Sequence, residues 1–235
     1  MQIFVDGYAE KQVAPDQIIA SASFHAHANE YSEAMQRGVE KVKSFIEYIE
    51  NESNFEAKDF KTYAYNISEH FHTNRIEAKT EEDLTKNLTR RVSDGFFFEQ
   101  RLQIIFDYNK ERLAKLLALT SNSDSFPHLH IEFTLKDYRD HQRQLLADAF
   151  ADARSKASAL VMAADKHLRD CVRVDIDDHH AATTYGSDFA KTRLFEGDRA
   201  SVADIQEQIK AIDETFRPDD ITVSKTISSV WETSD

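Results

Sequence analysis

Hydrophobic and polar residues alternate along several short stretches of the chain. Over residues 17–28, Ile18, Ala20, Ala22, Phe24 and Ala26 fall on one face, and serines and histidines fall on the other. This pattern predicts a half-buried strand. Similar patterns predict a first strand over residues 3–10, broken near Gly7, and further strands over residues 58–71, 95–107, 127–135, 171–177 and 220–231.

Apolar residues recur at helical spacing elsewhere, which predicts helices over residues 30–51, 109–120 and 202–212 and one long helix over residues 137–168. The long segment contains no Gly or Pro, as expected of an uninterrupted helix. Its small face consists of Leu145, Ala149, Ala153, Ala157 and Leu160, and its solvated side carries Asp148, Asp152, Arg154 and Lys156. A face of alanines lets a helix lie close to a sheet, and we expect this helix to organise the fold.

Strands interleaved with helices indicate an α+β protein, with a mixed, mainly antiparallel sheet packed by long helices. We expect a single domain over residues 1–235 with two related halves, residues 1–94 and 95–235, because the order of elements in the first half is similar to that in the second. Residues 73–94 are highly charged, which predicts a solvated loop or an extension of a hairpin.

Charge and composition limit the partners and the cellular location to be expected of this protein. The formal net charge is -13, from 42 acidic and 29 basic residues. This balance disfavours nucleic acid and membrane partners, because it repels phosphates and anionic lipids. The opening residues MQIFVDGYAE lack the basic start and apolar core of a signal peptide, and no apolar run approaches the roughly 20 residues of a membrane helix. We therefore expect a cytoplasmic protein.

Several short motifs resemble those of the SIMPL-domain family, which includes bacterial periplasmic immunogenic proteins. Gly7-Tyr8-Ala9 followed by Ala14-Pro15-Asp16 is similar to the opening signature of that family. Phe133-x-Leu135 before the long helix, the run from Asp152 to Ala157, and Ile221-x-Val223 resemble later ones.

The resemblance implies a SIMPL-like fold, a tendency to form homo-oligomers, and loosely defined roles such as stress tolerance in bacteria. It implies no catalytic residues. This chain departs from its relatives in lacking their secretion signal and in having Ala164-Asp165 where they usually have Ala-Gly after the long helix. The long helix is therefore expected to run on or to turn differently.

Three His-x-His pairs are the most unusual local feature, namely His25/His27, His70/His72 and His128/His130. Residues two positions apart on a strand lie on the same face, so each pair could hold one metal ion through two imidazoles. Glu69 and Glu132 are the candidate third ligands. The alternative is a solvated sheet face that is rich in histidine.

Other candidate chemistry is sparse. The acidic run from Asp175 to His180 could hold a hard cation, but it lacks the glycine and spacing of an EF-hand loop. The single cysteine, Cys171, excludes an intrachain disulfide and has no histidine near it in sequence. Phosphate-loop and hydrolase motifs are absent, so neither a cofactor nor a catalytic constellation is predicted.

The last predicted strand suggests assembly. Ile221, Val223, Ile227 and Trp231 fall on one face, interrupted by Lys225 and Ser229, while the other face carries an uncharged row of hydroxyls. We predict a subunit interface at these four apolar residues; a strand interior to its own sheet is the alternative. Three functions remain open: a non-enzymatic oligomerising protein, a metal-binding protein or metalloenzyme that uses the histidine pairs, and a small-ligand binding protein.

Overall fold

The computed structural model describes residues 1–75, 89–125, 127–176, 185–189, 207, 210 and 218–234. Its strands are β1 (Gln2–Val13), β2 (Gln17–Ala28), β3 (Phe60–Arg75), β4 (Thr89–Asp107), β5 (His128–Thr134), β6 (His167–Ile176), β7 (Tyr185–Phe189) and β8 (Ile221–Ser234). Its α-helices are α1 (Tyr31–Glu52), α2 (Lys110–Ser121) and α3 (Tyr138–Ala163), with a 3-10 turn at Ala57–Asp59. The predicted α+β class with mainly antiparallel sheets is confirmed.

The chain divides into two compact units built from interleaved segments. The first comprises residues 1–18, 132–186 and 217–235, and the second comprises residues 19–131 and 187–216. The relation between the halves 1–94 and 95–235 stays a prediction. None of the described helices is long and apolar enough to cross a membrane.

The first unit contains a three-stranded sheet in the order β1-β8-β6, with both pairings antiparallel. The first and last strands pair along their whole length, from Gln2 opposite Glu232 to Val13 opposite Ile221. Helix α3 packs on this sheet, and its buried residues are Leu145, Ala149, Ala153, Ala157 and Val161. The alternating pattern of β8 correctly predicted which of its faces points inward. The residues of that face, Ile221, Val223, Ile227 and Trp231, are all buried.

The second unit holds most of a five-stranded sheet in the order β3-β4-β2-β5-β7. Helix α1 packs on β3 and β4 and contacts α2. It approaches β4 closely at Gly38, where an added Cβ would lie 2.2 Å from the ring of Phe98. Phe24 of β2 meets Phe45 of α1 with ring centroids 5.1 Å apart, which marks the helix-covered face of the sheet.

Three local expectations are corrected. Strand β1 runs unbroken through Gly7. Leu160 is 57% exposed, and Val161 takes its place in the core because the buried positions of α3 recur at steps of four. The long helix ends at Ala163 instead of residue 168, because Asp165 turns the chain at a left-handed φ of 53°.

This turn has the hydrogen bonds of a Schellman motif, the usual end of a helix that glycine terminates. The amide of Lys166 donates to the carbonyl of Val161 over 3.0 Å, and that of Asp165 donates to Met162 over 3.1 Å. The left-handed residue of this turn, for which glycine is usual, is here an aspartate. The predicted helix over residues 202–212 lies outside the described residues except for Glu207 and Lys210, which are helical.

Candidate functional sites

The histidine pairs lie on the face of the five-stranded sheet opposite α1. On β2, Phe24 and Ala26 are buried and His25 and His27 are exposed. On β5 the same alternation leaves His128 and His130 half-buried between buried Leu129 and Ile131. His70 and His72 of β3 are exposed. Each pair lies on the more polar face of its strand.

Two of the pairs converge on β4, which lies between β2 and β3. The ring of Phe97 stacks between two imidazoles, with centroids 4.4 Å from His27 and 4.2 Å from His70. The third pair, on β5, lies beyond β2 in the sheet order. Sequence spacing identified each pair but could not show that β4 lies between them.

A β-bulge on β4 holds this arrangement. Asp94 has no partner in the ladder, because Gly95 lies opposite His70 and Ser93 lies opposite Phe71. The backbone of Asp94 accepts a hydrogen bond from Nε2 of His27, and its carboxylate accepts one from Nδ1 of His72. Gly95 has a φ of 92°, which a bulge of this kind requires and which favours glycine. Asp94 therefore ties β2 and β3 to β4.

This geometry gives the imidazoles hydrogen-bonding partners but does not assemble a ligand set. In the described part of the chain, no group of three or more His, Cys, Asp or Glu side chains is placed to hold a metal ion. Glu69, a candidate third ligand, instead accepts a hydrogen bond from the hydroxyl of Ser93 over 2.6 Å. Metal binding by the six histidines stays a prediction.

The remaining sequence candidates are only partly described. Asp175 forms an ion pair with Arg173, at 2.8 Å between Oδ2 and Nε, and the rest of the acidic run lies outside the described residues. Cys171 is half-buried in a cluster with Val5, Ala157 and Trp231. Between α1, β2 and the segment after α2 lies a surface depression of about 370 Å³, whose lining includes Arg37, Glu40, Lys41 and Asp124.

A contact that the sequence did not predict joins two of the motifs that resemble those of the SIMPL-domain family. Gly7 faces α3 so closely that an added Cβ would lie 2.0 Å from the carbonyl oxygen of Ala149 and 2.8 Å from the Cβ of Ala153. Beside it, the amide of Tyr8 donates to Oδ2 of Asp152 over 2.9 Å, and Nζ of Lys156 donates to the carbonyl of Asp6 over 3.2 Å. The opening motif and the motif on the helix are therefore two sides of one contact.

The ion pair between Asp152 and Lys156, with Oδ2 and Nζ 2.6 Å apart, closes that contact. The pKa of the Asp152 carboxyl lies below its ordinary value, because Lys156 and then the amide of Tyr8 donate hydrogen bonds to it. The expectation that Asp152 merely faces solvent is therefore corrected.

The two edges of the three-stranded sheet differ as a result. At β1, side chains of α3 satisfy the backbone groups of Asp6 and Tyr8, so this edge is partly closed to another strand. At β6, the apolar side chains of Val172, Val174 and Ile176 are 48%, 42% and 50% exposed. In the described part of the chain, β6 pairs only with β8.

The four residues of the predicted interface lie within the core of the first unit. Ile221 and Val223 cluster with Leu145, and Trp231 packs against Phe150 of α3 with centroids 5.4 Å apart. Strand β8 is the central strand of its sheet, and Lys225, which interrupts its apolar face, is buried. Contact of these residues with a second chain stays a prediction, and an interface at β8 would have to use mainly its other face.

The polar residue Ser229 is accommodated in that core by hydrogen bonds. Its hydroxyl donates to the carbonyl of Val5 over 2.8 Å and accepts from the indole Nε1 of Trp231 over 2.9 Å. Both groups are buried, where an unmet hydrogen bond is costly. Ser229 therefore fixes the orientation of the tryptophan ring beneath α3.

The sequence as a whole matches one protein family. The family model SIMPL, described as a protein of unknown function (DUF541), covers residues 3–231. The chain belongs to the SIMPL family, which confirms the resemblance carried by the short motifs. No curated protein matches the chain.

Proposed function

We propose that this SIMPL protein acts without catalysis, by assembling with further copies of itself. The observation that carries the proposal is the difference between the two sheet edges in the first unit. Side chains of α3 partly close the edge at β1, whereas β6 exposes three apolar residues and, among the residues that the structure describes, pairs on one side only, with β8. Natural proteins usually protect such edges, so an exposed one marks a place for another chain.

The hydrogen bonds around the histidine pairs agree with a function without catalysis. Asp94 and Ser93 already provide partners for His27, His72 and Glu69 within the second unit. These hydrogen bonds hold neighbouring strands together. The proposal extends to a role of the assembly in stress tolerance, for which the family resemblance is the support.

The mass in solution tests the proposal. One chain has a mass of 27.0 kDa, and we expect light scattering coupled to size exclusion to give a multiple of it that falls on dilution. The physical reason is that the free energy of pairing at an edge competes with the entropy of association. A mass of one chain across the concentration range would contradict the proposal.

The same sample tests the competing functions. Stoichiometric metal in the purified protein, lost when His72 or His27 is replaced by alanine, would favour a metal-binding function. Saturable binding of a small ligand, lost on replacing Arg37 at the depression beside α1, would favour the third function.

A further inference from the structure

The residue pattern of the exposed strand β6 also indicates which kind of strand it can pair with. Its last residues read Val172-Arg173-Val174-Asp175-Ile176, so apolar and charged residues alternate. Arg173 and Asp175 are placed symmetrically about Val174 and carry opposite charges. A strand with this symmetry is complementary to a second copy of itself that runs in the opposite direction.

The pairing of β6 with β8 fixes which way these side chains face. Val174 lies opposite Ser229 and Ile176 lies opposite Ile227, on the side of the sheet that α3 covers. Arg173 lies opposite Val230 and therefore on the other side. All of these β6 residues are exposed, so both faces of the edge remain accessible.

An irregularity limits the length of any new ladder. The register of β6 shifts between Cys171 and Arg173, which leaves Val172 as the extra residue of a bulge. Bulges disturb pairing at an edge. The regular run that follows, Arg173–Ile176, therefore forms the ladder, and the bulged Val172 at its end can add a side-chain contact but no regular ladder position. The shortness of this run makes the choice of register depend on a few side chains.

We propose that β6 pairs with β6 of a second copy, antiparallel, about a twofold axis at Val174. This inference rests on the proposed function and names the surface that performs it. In this register Val174 faces its own copy and Arg173 faces the partner's Asp175, while the bulged Val172 lies at the end of the ladder beside the partner's Ile176. The same patch serves both chains, as a twofold interface requires.

Neighbouring registers are less favourable. A twofold axis at Asp175 would place that carboxylate against its own copy, and an axis at Arg173 would oppose two guanidinium groups; like charges directly opposite are destabilising. An axis between Val174 and Asp175 would oppose each valine to a carboxylate. Only the register centred on Val174 pairs apolar residues with each other and opposite charges with each other.

Arg173 and Asp175 are already paired within one strand, at 2.8 Å. Both side chains are more than half exposed, at 68% and 56%, so this pair is weak. In the dimer, each Arg173 would exchange the Asp175 of its own strand for the partner's Asp175. The number of ion pairs per chain therefore stays the same. The charges therefore select the register, and the backbone hydrogen bonds and the three apolar residues supply the attraction.

Disulfide trapping tests the register. The native thiol is removed by Cys171→Ser, and Val174→Cys is added and oxidised with diamide. Cysteines at position 174 would face each other, within the reach of a disulfide. The matched control is Val172→Cys in the same background, because two residues 172 would lie about 13 Å apart along the strand at roughly 3.3 Å per residue.

We expect a covalent dimer as the main product of Val174→Cys and little dimer from Val172→Cys, with the fluorescence of Trp231 confirming that both variants are folded. A second variant, Val174→Lys, should raise the dissociation constant of the assembly about tenfold or more, because it places two ammonium groups opposite each other. Leu160→Lys, at another exposed apolar position, on α3, should leave the dissociation constant unchanged.

The outcomes separate this inference from the proposed function. A wild-type assembly that persists in Val174→Lys, or equal trapping at positions 172 and 174, would overturn the β6 register while leaving assembly in place. A wild-type protein of one-chain mass would overturn both. Selective trapping at position 174 together with dissociation of Val174→Lys would support both.

Discussion

The close approach of α3 to β1 at Gly7 makes a sharp prediction about stability. In Gly7→Ala the new Cβ would lie 2.0 Å from the carbonyl oxygen of Ala149 and 2.8 Å from the Cβ of Ala153. Non-bonded carbon atoms pack best at about 3.5–4.0 Å, so the helix would have to move away by more than 1 Å. The blocking atom belongs to helix backbone and cannot rotate aside.

The magnitude follows from what the helix would lose. Overpacking of a core costs about 1–3 kcal/mol, and a radial gap of 0.5–1 Å forfeits roughly a quarter to a half of the contact energy along the separated face. The reduced freedom of the unfolded chain returns about 0.4–1 kcal/mol. We expect a net loss of about 1–2.5 kcal/mol, which corresponds to a fall in melting temperature of roughly 2–10 °C for a chain of this size.

Urea unfolding followed by fluorescence measures the effect locally, because Trp231 is the only tryptophan and packs against α3 through Phe150. The decisive control adds Ala153→Gly, which removes the contact at 2.8 Å and leaves the closer one with the carbonyl of Ala149. We expect no rescue by this second change. A Gly7→Ala protein within about 0.5 kcal/mol of wild type, the usual range of surface substitutions, would refute the close packing.

Two further predictions follow from single residues. Asp165→Gly should raise stability by about 1 kcal/mol, seen as a higher melting temperature, because glycine adopts the left-handed φ of 53° without strain and removes a negative charge from the end of α3; an unchanged or lower melting temperature would contradict the turn. The lowered pKa of Asp152 means that its ion pair with Lys156 stabilises the fold above the unfolded pKa of about 3.9, and that this contribution is lost as the pH falls through the folded pKa. The stability difference between wild type and Asp152→Asn should therefore shrink below about pH 4 in urea titrations, and a constant difference would rule out the linkage.

Periodicity predicted most elements, because each strand or helix buries one face and therefore repeats apolar residues at its own period. It predicted the inward face of β8, and it placed the histidine pairs on polar faces. It could not predict that β8 pairs with β1, since the contact joins residues more than 200 positions apart in the chain. For that reason the strand could be interpreted from sequence as an edge available to another chain, although it lies between two neighbours.

Other features depended on single backbone conformations that periodicity does not report. Asp165 ends α3 because one residue adopts a positive φ, and the sequence signal was only that an aspartate replaces the glycine of the relatives. The bulge at Asp94 was invisible for the same reason, although Gly95 beside it is one of only five glycines in the chain. A rare glycine at the start of the predicted strand over residues 95–107 was the signal that could have found the bulge.

The motifs that carry the family resemblance are explained by packing in this structure. Gly7 is small because α3 lies against it, and Asp152 and Lys156 are charged because they bind the edge of β1. Residues that already have a structural task of this kind provide no evidence of a reaction. Features that packing does not explain are therefore the better guides to function. The exposed apolar row of β6 is such a feature, because burying it within the chain would have been the more stable arrangement.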